Sequence, residues 1–281
     1  MQRRYPFGFL GWVAQALWVG LVATGLAAQG SPQRIVSLAP SLTEILLDLG
    51  AGDALVGVTR YDHDPAVAGV PRVGGWLDPS YERIAELQPD MVLITRAQER
   101  FVGPSLARLG IRYRALPAQT LQDVFVSLDS LARWLHLEPQ GRALRQALQE
   151  TLRLYRARSG PRLPVVFVAD RTPGTLQNLY VVGSGTFLHE LLEIAGYENL
   201  VKQPGYVPLN LEHLLRLNPP LILEMVQGEA RPDSAWQQIG WQSRVVPVEA
   251  DLFSHPSTRF PRILRVLRRL RQERQALWQQ E

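Results

Sequence analysis

The sequence predicts an α/β protein of two Rossmann-like lobes with largely parallel sheets, joined by a single long rigid helix. Short apolar runs alternate with amphipathic ones from Arg34 to Leu116 and again from Val165, as in parallel sheets covered by helices on both faces. Two patterns of the first half also recur in the second. Thr43-Glu44 through Gly50 returns as His189-Glu190 through Gly196, and Tyr81-Glu82 through Pro89 returns as Leu211-Glu212 through Pro219. The spacing is kept within each pair, six residues from Glu to Gly and seven from Glu to Pro. Recurrence at that distance argues for two similar lobes, and a cleft between lobes is where small ligands bind. Each of these Glu residues is expected to open a helix.

Arg34–Ala39 is a short apolar strand ended by Pro40 and Ser41, and Thr43–Leu49 reads as a helix stopped by Gly50. Ala54–Val58 is the next strand. Pro65, Gly69, Pro71, Gly74 and Gly75 make Arg60–Trp76 a loop. Asp78-Pro79-Ser80 caps the helix that carries Glu82, Pro89 closes it, and Met91–Thr95 is a strand. Pro104–Leu109 reads as a helix and Arg112–Leu116 as a strand. From Thr120 onward Leu121, Val124, Leu128, Leu131 and Leu135 recur at helical spacing. After Pro139 the run from Gln140 to Arg158 sets Leu144, Leu148, Leu152 and Tyr155 on one face. As a helix it would span roughly 28 Å, a stiff strut unlike a Gly/Ser linker. Val165–Ala169 restarts the alternation, and a helix from about Phe260 to Trp278 closes the chain. The expected boundaries are 31–138 for the N-terminal lobe, 139–160 for the inter-lobe helix and 161–281 for the C-terminal lobe.

Residues 1–30 read as a secretory signal peptide. Met1–Arg4 is short and positive, Trp12–Leu26 is mostly apolar, and small residues follow at Ala27, Ala28 and Gly30. The run is short for a bilayer span, which takes about 20 residues. An uncleaved anchor is the alternative. Both readings put residues 31–281 outside the cytoplasm, and the expectation is a periplasmic protein with its signal cleaved.

The chain has no cysteine, which excludes disulfides, thiolate metal sites, a Cys nucleophile and a lipid-modified N-terminal Cys. The net charge of +4 falls to +2 without Arg3 and Arg4, so the body is not strongly basic. The arginines from Arg259 to Arg274 read as the solvated face of the last helix, and no nucleic-acid partner is expected. Gly183-Ser-Gly185 lacks the frame of a nucleophile elbow, and neither a dinucleotide fingerprint nor a P-loop is present.

Four segments carry a family resemblance: Ile35–Glu44, Gly57–Pro65, Val73–Ile94 and Tyr206–Leu215. They resemble the helical-backbone class (class III) of bacterial substrate-binding proteins, which serve ABC importers of vitamin B12, siderophores and haem. The likeness covers about residues 33 to 272 and is nearest to the vitamin B12-binding branch. It implies a monomer with no resident cofactor, whose bound ligand is a corrinoid such as cobalamin and whose partners are the membrane permease subunits of an ABC importer. It implies lobes that move little on binding, with Gln140–Arg158 as the rigid helix. It also implies that Glu82 and Glu212, one at the rim of each lobe, dock onto importer arginines. Physics is compatible, because a carboxylate in the first turn of a helix is stabilised by the dipole and pairs well with Arg. Both also read simply as helix N-terminal acids.

By position the resemblance places the ligand on Tyr61, Trp76, Tyr206, Asp251 and Phe253, with Pro40 and Ser41 lining the cleft through their backbone. A flat amphipathic ring wants aromatic faces and a few polar anchors. Loop aromatics also serve as core. The segment Asp170–Thr175 has no residue-by-residue match. His63 and His255 lie in candidate site loops, where each is either an exposed loop histidine or a ligand to a bound cobalt or iron; no spaced histidine pair suggests a protein metal cage. A ferric siderophore or haem is the alternative ligand, and an anionic siderophore would call on Arg60, Arg96, Arg171 or Arg259. An extracytoplasmic enzyme on the same scaffold is the alternative of a different class.

Overall fold

The computed structural model describes residues 34–156, 161–228 and 234–278; the expected signal segment lies outside them. The first lobe holds β1 (Ile35–Ser37), α1 (Pro40–Asp48), β2 (Leu55–Gly57), α2 (Tyr81–Glu86), β3 (Met91–Thr95), α3 (Arg96–Arg108) and β4 (Tyr113–Leu116). Its four strands are all parallel in the order β2-β1-β3-β4. The helices α4 (Leu121–Trp134) and α5 (Glu138–Arg156) follow. The second lobe then runs β5 (Leu163–Asp170), β6 (Leu179–Val182), α6 (Phe187–Ala195), β7 (Tyr197–Asn199), β8 (Tyr206–Leu209), α7 (Leu211–Leu217), β9 (Ile222–Val226), α8 (Ser234–Gln238), β10 (Val245–Glu249), α9 (Ala250–Phe253) and α10 (Phe260–Trp278).

The second sheet is mixed. Along the order β10-β9-β5-β6-β8 the pairs β10·β9 and β9·β5 are parallel, while β5·β6 and β6·β8 are antiparallel. The cause is connection length. Residues 171–178 between β5 and β6 are too few for a crossover, which takes a dozen or more, so the chain must double back. β7 pairs in parallel with the start of β5, at Leu163 to Val165.

Several elements begin earlier than the sequence suggested. α1 starts at Pro40, since proline suits the first helical position; Glu44 therefore lies in the second turn and does not open the helix. α3 starts at Arg96 and runs through Pro104, because Thr95 and Gln98 form a capping box well before that proline. α5 starts at Glu138, with Pro139 tolerated in its first turn. It crosses α4 at Gly141, where an added Cβ would stand 2.5 Å from the Ala132 Cβ.

The lobes are tied by more than the strut. One apolar cluster runs unbroken from Leu42 and Leu46 of α1 through Phe125 of α4 and Leu148 of α5 to Phe187, Phe253 and Phe260. The Phe125 and Phe260 rings meet edge to face at 6.3 Å. Glu190 of α6 reaches back to accept a bond from the Leu121 N–H at 2.6 Å, satisfying a free donor at the start of α4. Residues 255–259 cross onto α1, where Arg259 faces Glu44 and Asp48, and also pairs with Asp64 of the loop after β2. Thr258 adds a bond to Asp48 at 2.6 Å. With one core and a charged seam holding both lobes, no few residues are free to absorb a hinge rotation. Scattering profiles with and without ligand should therefore nearly superimpose; a large compaction on binding would refute this coupling.

Candidate functional site

Strand ends from both sheets converge on one cleft of about 660 Å³. Ala39–Ser41 follow β1, Thr95–Ala97 lie at the end of β3 and the start of α3, and Pro117–Gln119 follow β4. Across from them are Ala169 of β5, Met225 of β9 and Ser254–Pro256 after α9. A crevice outside the carboxyl ends of strands is the general binding place of open α/β sheets.

Tyr61 and Trp76 reach the cleft from the first lobe and Tyr206 from the second. Trp76 is half-buried, while Tyr61 and Tyr206 keep 44% and 42% exposure, so large ring faces stay available to a ligand. The Trp76 loop is held by the buried Gln98, whose Nε2 donates to the Leu38 carbonyl at 2.9 Å and to the Trp76 carbonyl at 2.6 Å. Its Oε1 accepts from the Thr95 N–H at 2.7 Å. One amide thus locks the end of β1, the start of α3 and the aromatic loop together. Before Trp76 the chain must turn at Gly74, where φ is +106° and a Cβ would come within 2.7 Å of the Asp78 carbonyl. Tyr61 is placed by Asp62, which accepts from the Thr59 N–H and hydroxyl at 2.8 and 2.5 Å. Burial pushes the Asp62 carboxyl up, and its hydrogen bonds from Thr59 and Thr43 only partly offset this.

Of the seven residues the resemblance placed at a ligand, Pro40, Ser41, Tyr61, Trp76 and Tyr206 line this cleft. Asp251 and Phe253 do not. Both lie on α9, a short helix that turns them away from the opening and leaves Ser254–Pro256 to face it. Phe253 is 1% exposed and packs on Phe167 with ring centroids 5.7 Å apart. Asp251 pairs with His63 Nδ1 at 2.7 Å on the outer surface. Glu82 and Glu212 are exposed in the first turns of α2 and α7, outside the cleft.

Sequence reasoning missed Gln119, Asp123, Met225 and Pro256; His255 it had placed in a candidate site loop. For Gln119 and Met225 the available signal was their position just after a strand or at its end; Asp123 lies on α4 and Pro256 follows α9. Of the four arginines considered for an anionic ligand, only Arg96 lines the cleft. Arg60 pairs with Asp78 at 2.8 Å, and Arg259 sits in the inter-lobe seam. Arg171 is buried against Glu224, whose other oxygen accepts from Trp236 Nε1 at 2.8 Å. Asp123 also faces the cleft but accepts from the Gln119 and Thr120 N–H groups at the start of α4.

A larger cavity, about 1050 Å³, lies along α4, α5 and α6. It is lined by helix sides, and its Arg145, Arg153 and Arg162 already pair with Asp129, Glu150 and Glu193. We therefore assign the site to the smaller cleft, where strand ends and aromatic faces meet. Among the described residues no group of three or more His, Asp or Glu side chains is placed to hold a metal ion.

A family model described as periplasmic binding protein matches residues 35–242. The vitamin B12-binding protein of Pectobacterium atrosepticum is 30% identical over 268 residues, covering 90% of this chain and 91% of that one. An ABC transporter substrate-binding lipoprotein of Bacillus subtilis is 28% identical over 243 residues, covering 81% and 76%. Among solved structures, the periplasmic vitamin B12 binding protein of Vibrio cholerae superposes with a TM-score of 0.69 at 23% identity, covering 84% of this chain and 97% of that one. The periplasmic haem binding protein of the same organism superposes with a TM-score of 0.74 at 21% identity, covering 85% and 99%. These two likenesses speak to the two-lobed fold. No helix among the described residues is long and apolar enough to cross a membrane.

Proposed function

This chain belongs to the periplasmic binding protein family, and from that premise we propose that it captures cobalamin or a related corrinoid in the periplasm and delivers it to the permease subunits of an ABC importer. Membership makes it a solute-binding protein and not an enzyme. The observation that carries the ligand reading is the character of the cleft. Three aromatic faces, the prolines Pro40, Pro117 and Pro256, and Met225 make its walls apolar, while Arg96 and Asp123 leave it nearly balanced in charge. A corrin is a flat amphipathic ring with neutral amide side chains. It gains from stacking and needs few charged anchors. An anionic ferric siderophore would want several free cations, and haem would want partners for its carboxylates; among the described residues Arg96 is the one Arg or Lys that faces the cleft. The names of relatives at about 30% identity support the same reading. In it the chain acts as a monomer, holds no resident cofactor and has no nucleic-acid partner.

Titrating the purified protein with cyanocobalamin, hemin and a ferric hydroxamate tests the proposal. Cyanocobalamin should bind tightest; preference for the hydroxamate would overturn the reading. Trp76→Ala should weaken corrinoid binding by on the order of 2 kcal/mol, roughly 30-fold, while thermal melting stays close to wild type. The backbone anchor to Gln98 survives that substitution. Unchanged affinity in a folded variant would remove Trp76 from the site.

A further inference from the structure

Among the described residues His255 is the histidine that lines the cleft. Its ring is oriented from behind, with Nδ1 3.4 Å from Glu44 Oε1. Glu44 is itself fixed: its other oxygen accepts from the Ser257 hydroxyl, and Arg259 Nη1 lies 3.8 Å away. Both His255 and Glu44 side chains are only 17% exposed. Nε2 meets no hydrogen-bond partner among the described residues, yet it is not sealed in the interior. A carboxylate on Nδ1 holds the proton there and leaves the lone pair on Nε2. Metal-ligating histidines are oriented in this way, and the carboxylate raises their basicity.

We propose that His255 Nε2 coordinates the metal at the centre of the flat ring bound in the cleft. The inference rests on the corrinoid reading for its cargo, but it needs only a metal macrocycle with an open axial position. The best-matched class is a cobalt corrinoid without a base of its own on the lower face. The Nε2 lone pair forms the new bond to cobalt(III), the axial water leaves, and the oxidation state does not change. The neutral imidazole gives up no proton. His255 would therefore favour corrinoids that lack the lower base over those that carry it, a discrimination stacking on Tyr61, Trp76 and Tyr206 cannot make.

The probes are aquocyanocobinamide, which has no lower base, and cyanocobalamin, which has one. On binding wild type, the visible bands of cobinamide should move to those of its imidazole adduct. In His255→Ala the shift should vanish and cobinamide affinity should fall roughly tenfold or more, a clearly larger loss than for cyanocobalamin. Free imidazole added to His255→Gly should restore the shifted bands, which a purely structural role for His255 would not allow. Wild type that binds cobinamide with no band shift overturns the proposal, and that result does not depend on a variant folding. If wild type takes up hemin and no corrinoid, the cargo reading fails on its own; the His255 inference then stands only if the Soret shift of bound hemin is lost in His255→Ala. Binding of neither ring overturns both.

Discussion

Reversing Glu82 and Glu212 together to Arg is expected to abolish ligand uptake and importer binding while leaving ligand affinity in solution intact. The two carboxylates belong to different lobes, in the first turns of α2 and α7, and both are exposed. Their present partners are weak ties. Glu82 accepts from the Ser80 hydroxyl at 3.1 Å. Glu212 faces Arg216 at 3.4 Å on the helix surface, an exposed pair of small value. Neither lines the cleft, so the change should leave the ligand site untouched. Two acids presented to two arginine-bearing permease surfaces would make charge-assisted contacts and steer the encounter, so each single reversal should be milder than the double. Binding to the importer should also weaken with added salt. If these acids only complete helix ends, the loss is about 0.3 to 1 kcal/mol of stability per site and uptake continues. A double variant that transports normally would remove the docking role and leave the cleft reading standing.

Arg259→Ala should be strongly destabilising, because it strips the cation from a seam of three acids. Arg259 is 19% exposed and lies within salt-bridge distance of Glu44, Asp48 and Asp64. Burial alone would lower its pKa; the Asp64 hydrogen bond and the charges of Glu44, Asp48 and Asp64 outweigh that and hold it above the ordinary value. Removing one partner of a buried pair costs about 3–5 kcal/mol, and partial exposure reduces this to about 2–3 here. Chemical denaturation should show the loss as a lower midpoint, and a loss under about 0.5 kcal/mol would contradict the seam. Acid should act on the same contact. Burial would raise the Asp64 carboxyl, but the Ala66 N–H and the Arg259 guanidinium together hold it below the ordinary carboxylate range. A carboxyl depressed in the fold contributes stability above its unfolded pKa and loses it as pH falls through the folded value. Wild type should thus lose stability on acidification more steeply than Arg259→Ala. Asp62, pushed up by burial, has the opposite sign but is common to both proteins and drops out of the difference, which reports the acids that face Arg259.

Much of the fold was legible because it rests on local rules. Met91–Thr95 and Phe260–Trp278 match their strand and helix because apolar period and flanking breakers agree there. Ser80, Thr120 and Asn210 cap α2, α4 and α7 through their own side chains, a signal that needs no tertiary context. Boundaries failed where a rule had two readings. Pro40 read as the end of a strand and Pro104 as the start of a helix, yet one opens α1 and the other sits inside α3.

The sequence by itself determined the two-lobed α/β plan, its strand-helix alternation and the loops that bear Tyr61, Trp76 and Tyr206, since periodicity, caps and repeated spacing are properties of neighbouring residues. Tertiary structure alone decided the rest. Phe253 and Arg171 look like ligand contacts in a loop, but packing buries one on Phe167 and the other on Glu224. Glu44 looks like a helix-opening acid, but the return of residues 255–259 makes it the partner of His255, Ser257 and Arg259, more than 200 positions away. Which face a side chain shows, and which distant charge it meets, depends on contacts that close only when both lobes share one core, and no local pattern encodes them.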